Sequence, residues 1–95
     1  MYQVKWTDEA VSDLENILTY YLDEAGERIA RAVYDRLREQ IGTLRYFPER
    51  CHIGRVAGTK EYVLSHLPYV AIVQIEERTV YILNVIHTAK KFPFG

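Results

Sequence analysis

Cysteine is almost absent from this chain, whose 95 residues include only Cys51. A single cysteine cannot form an internal disulfide, so we expect the protein to fold in a reducing compartment and interpret Cys51 as a small loop residue. The chain also lacks apolar runs of membrane-spanning length, and no cationic start precedes an apolar stretch at its N-terminus. These absences predict a soluble, cytoplasmic protein without a membrane partner.

Motifs that bind metals or phosphates are missing as well. His52 and His66 have no metal-ligand spacing to each other or to Cys51, and the chain contains no glycine-rich phosphate loop and no catalytic-triad spacing. We therefore expect neither a metal nor a cofactor. Repeats, linkers and low-complexity segments are also absent, and 48% hydrophobic residues are enough for one core. The sequence predicts a single domain over residues 1–95.

A strong excess of one charge is lacking, because the formal net charge is −1. The two halves differ, however. Residues 1–40 hold nine acidic and five basic residues, whereas residues 41–95 hold four acidic and seven basic residues. This asymmetry indicates a basic face for an anionic partner. Tight nonspecific binding of nucleic acid would need a more basic domain.

The first half of the chain has the pattern of a strand followed by two helices. Residues 2–6 alternate between apolar and polar, which predicts a short strand. Thr7 is a good N-cap, and apolar residues then recur at helical spacing, first at positions 10, 14, 17, 18, 21, 22 and 25 and later at 29, 33, 37, 41 and 44. Gly26 interrupts this pattern, so we expect a helical hairpin.

The second half reads as a meander of three antiparallel strands, predicted at residues 60–64, 69–75 and 79–87 after an irregular segment at 48–58. The last two strands are apolar on both faces and should therefore be central. The predicted order is β-α-α-β-β-β. This is an α+β fold with a helical hairpin on one face of a four-stranded, mostly antiparallel sheet. The other face is either covered or exposed as an apolar binding surface.

Charged residues gather just before the first strand of the meander. Arg55 lies between Gly54 and Gly58, and Lys60 and Glu61 follow closely. One interpretation is that the two cations are presented to an anionic partner. The other is a solvated loop in which Glu61 pairs locally with Arg55 or Lys60.

Further candidates lie at the end of the last strand. By alternation, His87 should share a face with Tyr81, Leu83 and Val85, and its imidazole could act as a general acid or base. A histidine hydrogen-bonded to the backbone is the alternative. The tail that follows combines cations with aromatic rings, namely Lys90, Lys91, Phe92 and Phe94. This composition suits contact with nucleic acid or protein. The alternative is a tail that packs Phe92 back onto the sheet and leaves the lysines in water.

RNA cleavage by in-line attack of a 2′-hydroxyl needs a base, an acid and a cation that stabilises the charged phosphorane. Glu61 and His87 are the candidate base and acid, and Arg55, Lys60 and Lys90 are the candidate cations. Many small proteins contain such groups, so these residues alone leave catalysis and binding open.

Several short motifs follow one another along the chain. They are Trp6-Thr7-Asp8-Glu9-Ala10, Gly54-Arg55, Gly58-Thr59-Lys60-Glu61, Pro68-Tyr69 and Val85-Ile86-His87 followed by Lys90, Phe92 and Pro93. Taken in order, they resemble the RelE/ParE superfamily of type II toxin–antitoxin toxins, and the ParE branch most closely. The resemblance covers essentially the whole chain. Lys60 stands where arginine is usual, which keeps the charge but loses the planar guanidinium.

The resemblance to the ParE branch implies a toxin that inhibits DNA gyrase by binding it, without catalytic residues of its own. Cationic and aromatic residues near the loop and the C-terminus would then recognise the target. These are Arg55, Lys60, Lys90, Lys91 and Phe92.

RelE-like members are instead ribosome-dependent endoribonucleases that cut mRNA with arginine, lysine and tyrosine side chains. Here Val70 stands where such enzymes tend to carry a catalytic arginine, and no tyrosine follows His87. The resemblance therefore favours gyrase inhibition, with mRNA cleavage at the ribosome as the alternative. In that alternative Glu61, His87 and Lys90 would be catalytic.

The resemblance also implies a cognate antitoxin. Its C-terminal segment would fold on binding and would cover the helical hairpin and the apolar surface of the sheet. A higher-order toxin–antitoxin complex would bind operator DNA through the antitoxin, and such modules are associated with plasmid stabilization.

Overall fold

The structure is a computed structural model that describes residues 1–90 of the chain. Two helices pack on a mixed five-stranded sheet whose strand order is β1-β5-β4-β3-β2. β1 runs parallel to β5, and the other neighbouring strands are antiparallel. The elements are β1 Gln3–Trp6, α1 Asp8–Ala25, α2 Glu27–Gly42, two 3-10 turns at Thr43–Arg45 and Pro48–Arg50, β2 His52–Ile53, β3 Lys60–Val63, β4 Tyr69–Glu76 and β5 Thr79–His87.

The predicted α+β class and the order of helices and main strands are confirmed, but the predicted number of strands was wrong. The sheet has five strands because the segment expected to be irregular contains β2. His52 pairs with Glu61 and Ile53 pairs with Lys60, so β2 extends the sheet beyond β3. A strand of two residues is too short to show alternation, which is why the sequence pattern did not indicate it.

The helical hairpin forms where the sequence predicted it. Thr7 caps α1, with its Oγ1 accepting a hydrogen bond of 3.1 Å from the backbone N of Ala10. Gly26 joins α1 to α2 with a φ of 88°, a left-handed value that favours glycine. Each helix buries one apolar stripe, with Ala10, Leu14 and Ile17 in α1 and Ala30, Leu37 and Ile41 in α2. All of these except Ala30 belong to the core cluster that the helices share with the sheet.

The main core lies between the helices and the sheet face that we call the helical face. Ala71, Val73, Val80 and Ile82 are fully buried there. The opposite, outer face carries a smaller apolar cluster of Val70, Ile72 and Ile86, with exposures of 3%, 2% and 6%, against which Leu83 packs. β4 and β5 are therefore apolar on both faces and central, as predicted.

A β-bulge in β5 changes which residues share a face. Ile72 pairs with Asn84 but Val73 pairs with Ile82, so Leu83 is the extra residue. Leu83 consequently packs on the outer face, whereas Val85 belongs to the core on the helical face. The expectation that His87 shares a face with both Leu83 and Val85 was wrong, because the bulge interrupts the alternation.

Candidate functional site

The loop before β3 is held by an ion pair on the outer face. Glu61 lies opposite Ile72 in the register, which places it on that face, and only 8% of the residue is exposed. Its carboxylate accepts hydrogen bonds from the backbone N of Arg55 at 2.9 Å, from Nε at 3.2 Å and from Nη2 at 3.0 Å. The Arg55 guanidinium holds the pKa of Glu61 below its usual value, although partial burial opposes this shift.

The backbone of this loop is closed by its own hydrogen bonds. The N of Gly54 donates to the carbonyl oxygen of Thr59 at 3.0 Å, and the N of Thr59 donates to that of Val56 at 3.1 Å. Gly54 lies so close to Thr59 that a Cβ would be 2.8 Å from the Thr59 carbonyl oxygen. Arg55 is therefore part of the loop's own framework, as the local-pair interpretation expected, and its role in target recognition stays a prediction.

Lys60 lies on the other side of the same edge. It pairs with Val73 and Ile53, so its side chain belongs to the helical face, whereas Arg55 contacts Glu61 on the outer face. Burial raises the pKa of the Cys51 thiol, and the positive charge of Lys60 offsets only part of this rise. Arg55 and Lys60, predicted as one cationic pair, thus point to opposite sides of the sheet.

A groove of about 440 Å³ lies on the helical face, between the middle of α1, the start of β4 and the end of β5. We call it the aromatic groove. The rings of Tyr69 and His87 meet edge to face with centroids 5.3 Å apart, and those of Tyr20 and Tyr21 do so at 5.2 Å. It is lined by Asp13, Asn16, Ile17, Tyr20, Tyr21, Tyr69, Asn84, Val85, Ile86, His87 and Lys90.

Tyr69 stays protonated in this groove. Burial raises the pKa of its phenol above the ordinary value of 10, and a side-chain hydrogen bond with Tyr21 raises it further. Only 4% of Tyr69 is exposed, so it serves as a fixed wall.

The His87 ring is oriented by the chain that follows it. The backbone N of Ala89 donates a hydrogen bond of 3.0 Å to His87 Nδ1, and the backbone N of Lys90 donates one of 2.9 Å to the His87 carbonyl oxygen. Since Nδ1 accepts, the neutral imidazole carries its proton on Nε2. His87 and Lys90 are both exposed at this end of the groove.

Asp13 accepts hydrogen bonds at the edge of β5, in the part of the strand that β1 no longer pairs with. β1 pairs with β5 only as far as Ile82, and beyond that point one carboxylate oxygen of Asp13 accepts from the backbone N of Val85 at 2.9 Å and from Asn84 Nδ2 at 3.1 Å. The hydroxyl of Thr7 donates to the carbonyl oxygen of Ile82 at 2.9 Å. Polar groups of α1 and its cap therefore replace a neighbouring strand.

Comparison with known proteins identifies the family. A family model described as "ParE toxin of type II toxin-antitoxin system, parDE" matches residues 4–92. The chain belongs to this family of toxins. A relative from Sinorhizobium fredii (strain NBRC 101917 / NGR234), provisionally named toxin Y4kP, is 31% identical over 91 residues, which cover 96% of this chain and 93% of that protein.

Two solved structures resemble this ParE-family toxin. One belongs to the chromosomal ParDE toxin–antitoxin system of P. aeruginosa, with a TM-score of 0.86, 24% identity and coverage of 92% of this chain and 96% of that one. At that identity the likeness shows the fold. The other is the toxin–antitoxin complex RelBE2 of Mycobacterium tuberculosis, with a TM-score of 0.60, 26% identity and coverage of 94% and 93%. The match to the family model confirms the ParE branch inferred from the motifs.

In this toxin the predicted catalytic set is not assembled in one place. Glu61 aligns with Ile72, and Ile72 aligns with Asn84, which is three residues before His87. Glu61 and His87 are therefore separated by two strand spacings across the sheet and by three residues along the strand. These separations put their Cα atoms roughly 14 Å apart. Their side chains also lie on opposite faces. His87 and Lys90 do meet at the aromatic groove, whereas Lys91 and Phe92 lie outside the described residues.

Sequence reasoning missed most of the groove. Asp13 had a signal, because it stands three residues after Ala10 and four before Ile17 and so falls on their buried helix face. The adjacent Tyr20 and Tyr21 were a weaker signal. Among residues 1–90, no three acidic, histidine or cysteine side chains are arranged to hold a metal ion, and no helix is long and apolar enough to cross a membrane.

Proposed function

We propose that this toxin inhibits DNA gyrase by binding it, and that a cognate antitoxin neutralises it. The observation that carries the proposal is the separation of the groups that a nuclease would need. Glu61 is engaged with Arg55 on the outer face, while His87 lies on the helical face. General acid–base catalysis requires both groups within hydrogen-bond reach of one substrate, whereas an inhibitor needs only complementary surfaces.

Val70 gives a second reason to favour binding over RNA cleavage. It stands where RelE-like nucleases tend to carry a catalytic arginine, and here it is 3% exposed within the apolar cluster of the outer face. Val70 therefore puts no positive charge at that position to stabilise a phosphorane.

Target recognition is assigned to cations and an aromatic residue near the sheet ends. Arg55, Lys60 and Lys90 are exposed at three different places around the sheet. Lys91 and Phe92, outside the described residues, complete the proposed set. Dispersed cations suit a broad protein or protein–DNA surface better than a single catalytic pocket.

Cleavage of mRNA at the ribosome is the second candidate. It is supported by the likeness to the RelBE2 complex and by the proximity of His87 and Lys90 at one groove. In that case His87 Nε2 would donate the proton, Lys90 would stabilise charge, and Glu61 would have to act from the far face.

The antitoxin is proposed to bind the helical hairpin. Val11, Leu22 and Ile29 are 43%, 43% and 48% exposed, and a groove of about 390 Å³ between the helices is lined partly by Leu18 and Tyr34. Exposed apolar surface of this kind suits an amphipathic segment that folds on binding. We further propose that the complex acts in the cytoplasm, binds operator DNA through the antitoxin and contributes to plasmid stabilization.

Induction of the toxin in growing bacteria tests the choice between the two targets. If gyrase is the target, incorporation of labelled thymidine falls first and protein synthesis falls later, and co-expression of the antitoxin restores both. If incorporation of labelled methionine falls first while DNA synthesis continues, the gyrase proposal is wrong.

A further inference from the structure

The aromatic groove has the features of a small-ligand site, a role that gyrase inhibition does not require. Its volume of about 440 Å³ lies within the range of roughly 300–1,000 Å³ that is typical of such sites. Three elements build it, because α1 supplies one wall and β4 and β5 supply the other. A site held by regular elements keeps its shape without a ligand.

One part of the groove suits a flat ring. Ile17 and Val85 are buried at its base, and Tyr20 is 56% exposed at its mouth. Tyrosine offers a face on which an aromatic base can stack. Asn16, also exposed on α1, carries both a donor and an acceptor for the polar edge of such a base.

The other end of the groove suits an anion. His87 has its Nδ1 occupied by the N–H of Ala89, so the proton of the neutral ring is on Nε2, which can donate. Lys90 follows three residues later and lines the same groove. An imidazole N–H and a lysine ammonium group are both suitable donors to a phosphate.

The charge of α1 restricts how much anion can bind. The helix carries six acidic residues and no lysine or arginine, namely Asp8, Glu9, Asp13, Glu15, Asp23 and Glu24. A long polyanion lying along α1, whether nucleic acid or acidic peptide, would be repelled by all six. One phosphate in the groove meets a single carboxylate of α1, that of Asp13, which accepts hydrogen bonds from Val85 and Asn84.

We propose that the aromatic groove binds a nucleoside monophosphate group, with its base against Tyr20 and its phosphate at His87 and Lys90. The group is either a free nucleotide or the phosphorylated end of a nucleic-acid strand. This site goes beyond the proposed function and does not depend on it, because it can be measured with the toxin alone.

Calorimetric titration of the full-length chain with AMP tests the proposal. AMP should bind, and adenosine and inorganic phosphate should each bind at least about tenfold more weakly, since each lacks one half of the recognition. Tyr20→Ala and Lys90→Ala should each weaken AMP binding about tenfold, with His87→Gln as a further variant. Tyr46→Ala and Lys5→Ala are matched controls, because Tyr46 is 60% exposed and both residues lie outside the groove.

Other ligands separate the sources and the alternatives. A tetranucleotide with a 5′-phosphate that binds more tightly than AMP would identify the end of a strand, and one that binds no more tightly would identify the free nucleotide. Three results would overturn the site. These are the absence of AMP binding, control variants that lose as much AMP affinity as the groove variants, and an acidic peptide that binds the groove more tightly than AMP and displaces it. Circular dichroism of each variant establishes that it is folded.

Discussion

At the scale of the residue, Glu61 keeps its negative charge in a nearly buried position because Arg55 surrounds it with backbone and guanidinium donors. Its folded-state pKa therefore lies below the unfolded value near 4.5. A depressed carboxylate pKa stabilises the fold above the unfolded pKa, and this contribution is lost as the pH falls through the folded-state pKa.

Glu61→Gln should therefore cost about 1–2 kcal/mol of unfolding free energy at pH 7, because the amide cannot replace the charged acceptor. The variant should also lose less stability than the original chain when the pH falls from 5 to 3. Urea unfolding across this range measures both effects. Glu76→Gln, at an exposed position at the end of β4, is the control. A variant whose stability falls as steeply with pH as that of the original chain would contradict the role of the ion pair.

Gly54 and Gly42 provide a matched pair of alanine substitutions. A Cβ at position 54 would collide with the backbone of Thr59, whereas at position 42, the last residue of α2, it would meet nothing within 4 Å. Gly54→Ala should destabilise the chain by about 1–3 kcal/mol, and Gly42→Ala should stabilise it by roughly 0.5–1 kcal/mol. Thermal unfolding of both variants measures the difference, and equal effects would refute the close approach at Gly54.

At the scale of the element, β5 depends on α1 beyond the point where β1 ends. Asp13→Ala would leave the backbone N of Val85 without its acceptor, so we expect a loss of about 1–3 kcal/mol. The amide hydrogens of Val85 and Asn84 should exchange faster, while those of Val80 and Ile82, in the part covered by β1, should change less. Glu15→Ala, at an exposed position of α1, is the control. Uniformly faster exchange along all of β5 would indicate general destabilisation instead.

The helices and the longer strands were predictable because their periodic patterns are long. Thr7, Gly26 and the apolar stripes predicted the helical hairpin. Strands that are apolar on both faces indicated the centre of the sheet. β2 was not predictable, because two residues carry no period. The bulge at Leu83 was not predictable either, because the alternation along one strand does not show where its register with the neighbouring strand shifts.

The candidate site was predictable only in part, because its residues are distant in sequence. The sequence offered Arg55 and Lys60 as local partners of Glu61, and the structure shows the pair with Arg55. The aromatic groove joins Asp13 to Asn84, which are 71 positions apart, and only the packing of α1 against β5 brings them together.

At the scale of the whole molecule, the proposed antitoxin surface and the proposed target surface lie on different elements. The hairpin is proposed for the antitoxin, and the cations near the strand ends are proposed for the target. Lys90→Ala combined with Lys91→Ala should therefore reduce growth inhibition by at least about tenfold and change antitoxin affinity much less. Inducer dose–response curves and pull-down with the antitoxin measure the two effects, and Lys5→Ala is the control. Equal loss of toxicity and antitoxin binding would mean that the tail is structural.

The supercoiling of relaxed plasmid DNA by gyrase, with the purified toxin added, tests the central proposal most directly. The account predicts that supercoiling stops, that His87→Gln inhibits as well as the original chain, and that labelled mRNA in a translating reaction with the same toxin stays intact. Unaffected supercoiling, together with mRNA cleavage that disappears in His87→Gln, would contradict the account and establish the nuclease instead.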